Sequence, residues 1–183
     1  MARVCLDLGH TGGTGGRPGA EYGGRFETLI VRRYAIEAAE QLEAAGHTVD
    51  IAGQGTYSSR QHRAVRDGAG VYVACHVNAG YRPGYGPAVF HPAHGLGSIT
   101  LAGHLAHHIE QTLGRCRVWA TTPDDWTKRA HSLTVHAQAG LCAAVVYEPC
   151  FIDGPGPHLA LLDNPKRLGG MLSAGILDFV EGR

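Results

Sequence analysis

The chain has 183 residues, of which 44% are hydrophobic and 17% are charged, and its 16 basic side chains balance 16 acidic ones. This length and composition predict a single domain spanning residues 1–183 and argue against long disordered segments. The zero net charge argues against a nucleic-acid or anionic-membrane surface, and no apolar run is long enough to insert into a membrane.

Five cysteines form no CxxC pair, so the sequence argues against a zinc site built from thiolates. Cys5, Cys75 and Cys142 lie in apolar, strand-like runs, where free buried thiols are common. A reducing compartment is therefore favoured. The first ten residues, MARVCLDLGH, lack the apolar core of a signal peptide, so we expect no secretion signal.

The N-terminal stretch predicts a buried strand over residues 3–8 that ends in Gly9 and His10. A glycine-rich loop over residues 11–24 follows, and Glu27 then begins an amphipathic helix that ends near Gly46. The strand therefore delivers an imidazole, and the helix a carboxylate, toward one edge of a sheet.

Strands and helices alternate along the rest of the chain, with a loop predicted over residues 123–130. Further strands are predicted over residues 48–52, 71–75, 88–91, 116–120 and 141–147. Helices after the first are predicted over residues 57–68, 98–113, 132–139 and 165–180. This alternation is typical of an α/β fold, with a mostly parallel twisted sheet and helices on both faces.

Local signals refine three of these helices. Ser98 is predicted to cap the third helix, while Asn164 caps the last helix and Pro165 opens it. An arginine row in the second helix is expected to face solvent: Arg60, Arg63 and Arg66.

Polar groups follow three of the predicted strands: His10, His76 and Glu148. The carboxyl ends of parallel strands share one edge of the sheet, and Glu27 reaches that edge from the start of its helix. Two imidazoles and one carboxylate form a three-ligand zinc set with a fourth position for water, and a second carboxylate would transfer protons. Glu21 is an alternative ligand. Each histidine alone is more often structural, and Glu27 alone suits any helix start.

Five segments of the chain resemble the zinc-dependent N-acetylmuramoyl-L-alanine amidases of the amidase-3 type. They are LDLGH at 6–10, Gly19-Ala20, Glu27 before a helix ending in AAGH, CHVNA at 75–79 and VVYEPCFID at 145–153. The resemblance implies that His10, Glu27 and His76 bind one zinc ion and that Glu148 is the catalytic glutamate. It also implies cleavage of the amide between N-acetylmuramic acid and L-alanine in peptidoglycan.

The sequence departs from this family pattern at four places. Cys150 stands where a glycine usually precedes the phenylalanine, and Asp153 replaces an asparagine. Ala74-Cys75 stand where a serine usually precedes His76, and AGQGTYSSR follows the second strand instead of a TR pair. These changes affect loop shape and substrate contacts more than metal binding. Cys150 as a nucleophile is the weaker alternative, because the sequence places no histidine beside it.

We therefore expect a peptidoglycan amidase, with monomers favoured and with loops 11–24, 81–87 and 150–158 lining its groove. The chain would be cytoplasmic until released to the cell wall, as an endolysin is, or would be the trimmed catalytic domain of a secreted enzyme. Two alternatives stay open: another zinc amidohydrolase or peptidase on the same scaffold, and a non-catalytic cell-wall binding module.

Overall fold

A computed structural model describes residues 1–11, 19–121 and 143–183. The strands in chain order are β1 (Arg3–Leu8), β2 (Glu21–Tyr22), β3 (Arg25–Phe26), β4 (Thr48–Ala52), β5 (Val71–Cys75), β6 (Ala88–Pro92), β7 (Arg117–Thr121) and β8 (Ala143–Glu148). The helices are α1 (Glu27–Ala44), α2 (Tyr57–Arg66), α3 (Leu96–Leu113), α4 (Gly156–Leu162) and α5 (Pro165–Glu181). None of these helices has the length and apolarity that a membrane crossing requires.

Within the described residues, six strands form one sheet in the order β4-β1-β5-β8-β6-β7, while β2 and β3 form a separate hairpin. All neighbours in the large sheet are parallel except β6 and β8, which are antiparallel. The prediction of a mostly parallel α/β sheet is confirmed. The reversal also brings the start of β6 to the carboxyl end of β8, where Ala88 pairs with Glu148.

Helices cover both faces of the sheet, as predicted. On one face, α1, α3 and α5 pack over a large apolar core that includes Leu6, Val73 and Val145. The other face holds a smaller cluster in which Ala64 of α2 packs near Tyr72. Successive strand residues point to opposite faces, so each buried strand contributes to both cores.

Two of the local predictions are wrong. Ser98 does not cap α3, which begins two residues earlier; its buried hydroxyl instead accepts a hydrogen bond from the Ala144 amide at 2.9 Å. Arg60 is not on a solvated face, because its side chain is 1% exposed, whereas Arg63 and Arg66 are exposed as expected.

Other local predictions are confirmed. Asn164 caps α5 by accepting a hydrogen bond from the Arg167 amide, and Pro165 opens the helix. Cys5 and Cys75 are buried, as predicted, and form no disulfide within the described residues. Cys142, the predicted loop 123–130 and the predicted helix 132–139 lie outside the described residues.

Candidate metal centre and active site

His10 lies at the carboxyl end of β1, after a glycine that permits close approach to β5. The Gly9 amide donates to the Cys75 carbonyl oxygen at 2.9 Å, and a Cβ on Gly9 would lie 2.6 Å from that same oxygen. His10 itself has a φ of 59°, a left-handed conformation that is uncommon for a residue other than glycine. Its amide donates to the Tyr57 hydroxyl at 3.0 Å, so α2 stabilises this turn.

Glu27 opens α1 with its carboxylate turned inward, and its side chain is 3% exposed. The Ala20 amide donates to Oε2 at 2.8 Å, and the Val77 amide donates to Oε1 at 3.0 Å. Burial alone would raise the pKa of Glu27, but these amides and His76 outweigh it and hold the pKa below its ordinary value. Glu27 is therefore a buried, ionised carboxylate.

His76 follows β5, and both its amide and its carbonyl oxygen make hydrogen bonds. Its amide donates to the Tyr147 carbonyl oxygen at 3.0 Å, and its own carbonyl oxygen accepts from the Tyr34 hydroxyl at 3.0 Å. Its Nδ1 lies 3.0 Å from Oε1 of Glu27. The imidazole is thus directed at the carboxylate that also faces His10.

The three side chains form one compact donor set. Nε2 of His10 lies 3.3 Å from Oε2 of Glu27, and the two imidazole rings are 5.0 Å apart, with planes at 87°. One ligand atom from each residue lies within 4.8 Å of the others. Two imidazole nitrogens and a carboxylate oxygen are ligands that zinc accepts in catalytic sites. This donor set, with its ionised carboxylate, fits a zinc ion.

Glu148 is the last residue of β8 and is fully buried. Cys75 pairs with Tyr147 in the parallel register of β5 and β8, so the next residues, His76 and Glu148, are neighbours on strands about 4.8 Å apart. Alternation places both on the face that α2 covers, together with Val146. The fold therefore brings the predicted proton-transfer group beside the cluster.

A buried ionic network lies beneath His10, and sequence reasoning missed it. Nε of Arg60 lies 3.1 Å from Oδ1 of Asp7, and the Tyr72 hydroxyl donates to the other carboxylate oxygen. Burial raises the pKa of Asp7 to about 6, although Arg60 acts in the opposite direction. The available signal was Asp7 itself, because a carboxylate inside an apolar strand requires a partner.

A family profile described as N-acetylmuramoyl-L-alanine amidase matches residues 4–176, nearly the whole chain. The chain belongs to this amidase family. A search of curated proteins found no significant match for it.

Solved amidase structures share the fold. The CwlD amidase from Clostridioides difficile, solved with the GerS lipoprotein, gives a TM-score of 0.76 at 16% identity, with 100% of each chain covered. The amidase AmiC2 of Nostoc punctiforme gives 0.74 at 21%, covering 98% of this chain and 97% of that one. The catalytic domain of an endolysin targeting Clostridia difficile gives 0.73 at 16%, covering 97% and 98%.

Two alternative site residues are placed poorly for chemistry in this amidase. Glu21 is exposed on β2 and does not belong to the cluster. Cys150 is fully buried, and burial raises the pKa of its thiol far above the ordinary value, which opposes a nucleophilic role.

Two of the three loops predicted to line the amidase groove contact one another. Asp153 accepts hydrogen bonds from the amides of Gly80 and Tyr81, at 2.9 Å and 3.1 Å to Oδ2. The Tyr81 ring packs against the rings of Phe151 and His158, with centroids 5.4 Å and 5.8 Å away. Asp153, a departure from the family pattern, thus fastens these loops together. Residues 12–18, half of the loop at 11–24, lie outside the described residues.

Proposed function

We propose that this chain is a zinc-dependent amidase that hydrolyses the bond between N-acetylmuramic acid and L-alanine in peptidoglycan. The observation that carries the proposal is the cluster of His10, Glu27 and His76 beside Glu148, in a chain of this family. We assign the first three residues as ligands of one zinc ion and Glu148 as the catalytic glutamate. That residues 1–183 form one catalytic domain stays a prediction, which the match over residues 4–176 supports.

The chemistry divides between the metal and Glu148. Zinc, when bound, supplies a Lewis acid that polarises the amide carbonyl and lowers the pKa of water at the site. Glu148 accepts a proton from the attacking water and returns it to the departing amine of L-alanine. Its place on the carboxyl edge of the sheet, next to His76, is where such a base is needed.

Glu27 and the two histidines set the charge of the site. The pKa of Glu27 lies below its ordinary value, so the carboxyl group is already ionised at neutral pH, and two main-chain amides fix its orientation. Neutral imidazoles supply the remaining two ligand atoms. The resulting net charge of +1 with a zinc ion suits a carbonyl oxygen that becomes negative during the reaction.

The substrate partner is peptidoglycan, and we retain the prediction of a monomer that reaches the wall as an endolysin or as part of a secreted protein. The likeness to an endolysin catalytic domain supports the first route. The likeness to the CwlD amidase and to AmiC2 gives equal support to the second route.

Product analysis on defined muropeptides tests the function. Mass spectrometry after digestion is expected to show a stem peptide with a free L-alanine amine and an intact disaccharide, and a chelator is expected to stop the reaction. A different new amine would indicate another amidohydrolase or peptidase. Binding to cell walls without any product would indicate a binding module.

A further inference from the structure

The Tyr57 side chain contacts both histidines of the candidate metal centre. Its hydroxyl accepts a hydrogen bond from the His10 amide at 3.0 Å and lies 3.3 Å from Nε2 of His76. Its ring also stacks on the His76 imidazole, with centroids 6.1 Å apart and planes at 26°. The Tyr57 side chain therefore contacts two residues that follow different strands.

The contacts of His76 distinguish its two ring nitrogens. Nδ1 faces Oε1 of Glu27 at 3.0 Å, so it is the nitrogen directed at the other ligands. Nε2 points at the Tyr57 oxygen. A metal at Nδ1 needs the lone pair of that atom, so the single proton of the neutral ring must reside on Nε2 and be donated to Tyr57.

The first turn of α2 holds Tyr57 in place. Thr56 caps the helix, and its side chain accepts a hydrogen bond from the Ser59 amide. One turn on, the Arg60 guanidinium lies 4.5 Å from the centre of the Tyr57 ring. The same guanidinium donates to the carbonyl oxygens of Leu8 at 3.2 Å and Thr11 at 2.7 Å, which flank His10. Arg60 thus links the helix to the strand end.

We propose that Tyr57 is a positioning residue for the zinc site, which fixes His76 with Nδ1 toward the metal and holds the backbone of His10. This inference rests on the proposed function and adds to it a residue that orients the zinc ligands. Partners of the non-ligating nitrogen orient a metal-bound histidine and raise its basicity. The sequence places this tyrosine in AGQGTYSSR, the segment that departs from the family pattern.

Zinc affinity of the apo protein tests the proposal without reference to activity. Tyr57→Phe removes the hydroxyl and keeps the ring that stacks on His76 and Arg60, so the fold is retained. We expect the dissociation constant for zinc, measured by chelator competition, to rise about 10- to 100-fold. Tyr85→Phe is the matched control, since Tyr85 is 52% exposed beside Arg117, and it is expected to leave the constant unchanged. Equal affinities in wild type and Tyr57→Phe would overturn the proposal.

The protonation site of His76 in the wild-type, zinc-loaded protein gives a second test that needs no variant. Nitrogen-15 spectra of labelled histidine are expected to show a proton on Nε2 and metal on Nδ1 of His76. A proton on Nδ1 would overturn the role of Tyr57 while leaving the zinc amidase intact. Failure of the wild type to bind zinc at all would overturn both this inference and the proposed function.

Discussion

The two strand ends that carry His10 and His76 hold their histidines in different ways. The sheet and α1 hold the backbone of His76, through the Tyr147 carbonyl oxygen and the Tyr34 hydroxyl. Side chains of α2, about 50 residues away in sequence, hold His10 in a left-handed turn. The backbone of a histidine that follows a strand directly is held by the sheet, whereas the backbone of one in a turn depends on a distant segment.

The largest effect is expected at the His76 end, where Glu148 lies beside the cluster. Glu148→Gln keeps the side-chain volume but removes the proton acceptor, so activity on muropeptides should fall about 100- to 10,000-fold. Zinc content should stay at the wild-type level. Glu21→Gln, at an exposed position on β2, is the control and should keep activity. Full activity in Glu148→Gln with zinc still bound would refute its assignment as the base.

At the His10 end, Arg60→Leu should destabilise the fold by about 3–5 kcal/mol, because it leaves the Asp7 carboxylate buried without its cation. Urea unfolding measures the loss. Since the pKa of Asp7 is raised to about 6, the carboxyl is protonated at pH 5 and charged at pH 8, so the loss should be larger at pH 8.

Arg63→Leu is the matched control for Arg60→Leu, from the exposed side of the same helix, and should change the unfolding free energy by about 0.5 kcal/mol or less. Equal losses for the two variants would mean that the network at Asp7 does not support the His10 end.

The Glu27 carboxylate contacts both histidines, and Gly19 has no side chain that would occupy its position. A Cβ on Gly19 would lie 2.5 Å from Oε2 of Glu27, so Gly19→Ala should displace the carboxylate and weaken zinc binding about tenfold. Gly24 has nearly the same φ, 75° against 76°, and no atom of the described residues lies within 4 Å of its Cβ position. Gly24→Ala should therefore show the same backbone strain but normal zinc affinity. Equal zinc affinities in the two variants would contradict this.

The smallest effect is expected from Tyr34→Phe, which removes one donor at the His76 end. The His76 carbonyl oxygen would lose its side-chain hydrogen bond, at a cost of about 1 kcal/mol in unfolding free energy. Tyr22→Phe, at a position that is 52% exposed, should cost nothing measurable. A loss for Tyr34→Phe as large as that of Arg60→Leu would contradict the comparison, since the backbone of His76 would then also depend on a single side chain.

The sequence predicts the strand ends well because buried runs of β-branched and apolar residues end abruptly in polar groups. His76 and Glu148 become neighbours through strand pairing alone, which the alternating pattern implies. The reversed direction of β6 is not predictable in this way, since it depends on the connections between strands.

The sequence predicts the surroundings of His10 poorly. Helical periodicity predicts Arg60 in a row of solvent-exposed arginines. In the structure its guanidinium is buried because it pairs with the buried Asp7 carboxylate on β1. Tyr57 carried no signal of its own, because its contacts with the two histidines depend on the angle at which α2 packs on the sheet.

The central claim is that His10 and His76, at two strand ends, and Glu27, at the start of α1, bind the same zinc ion. Zinc content per chain, measured in the paired variants Glu27→Gln and Glu21→Gln, tests it most directly. We predict one zinc per chain in the wild type and in Glu21→Gln, and loss of that zinc in Glu27→Gln. Full zinc in Glu27→Gln, with loss in Glu21→Gln, would contradict the site described here.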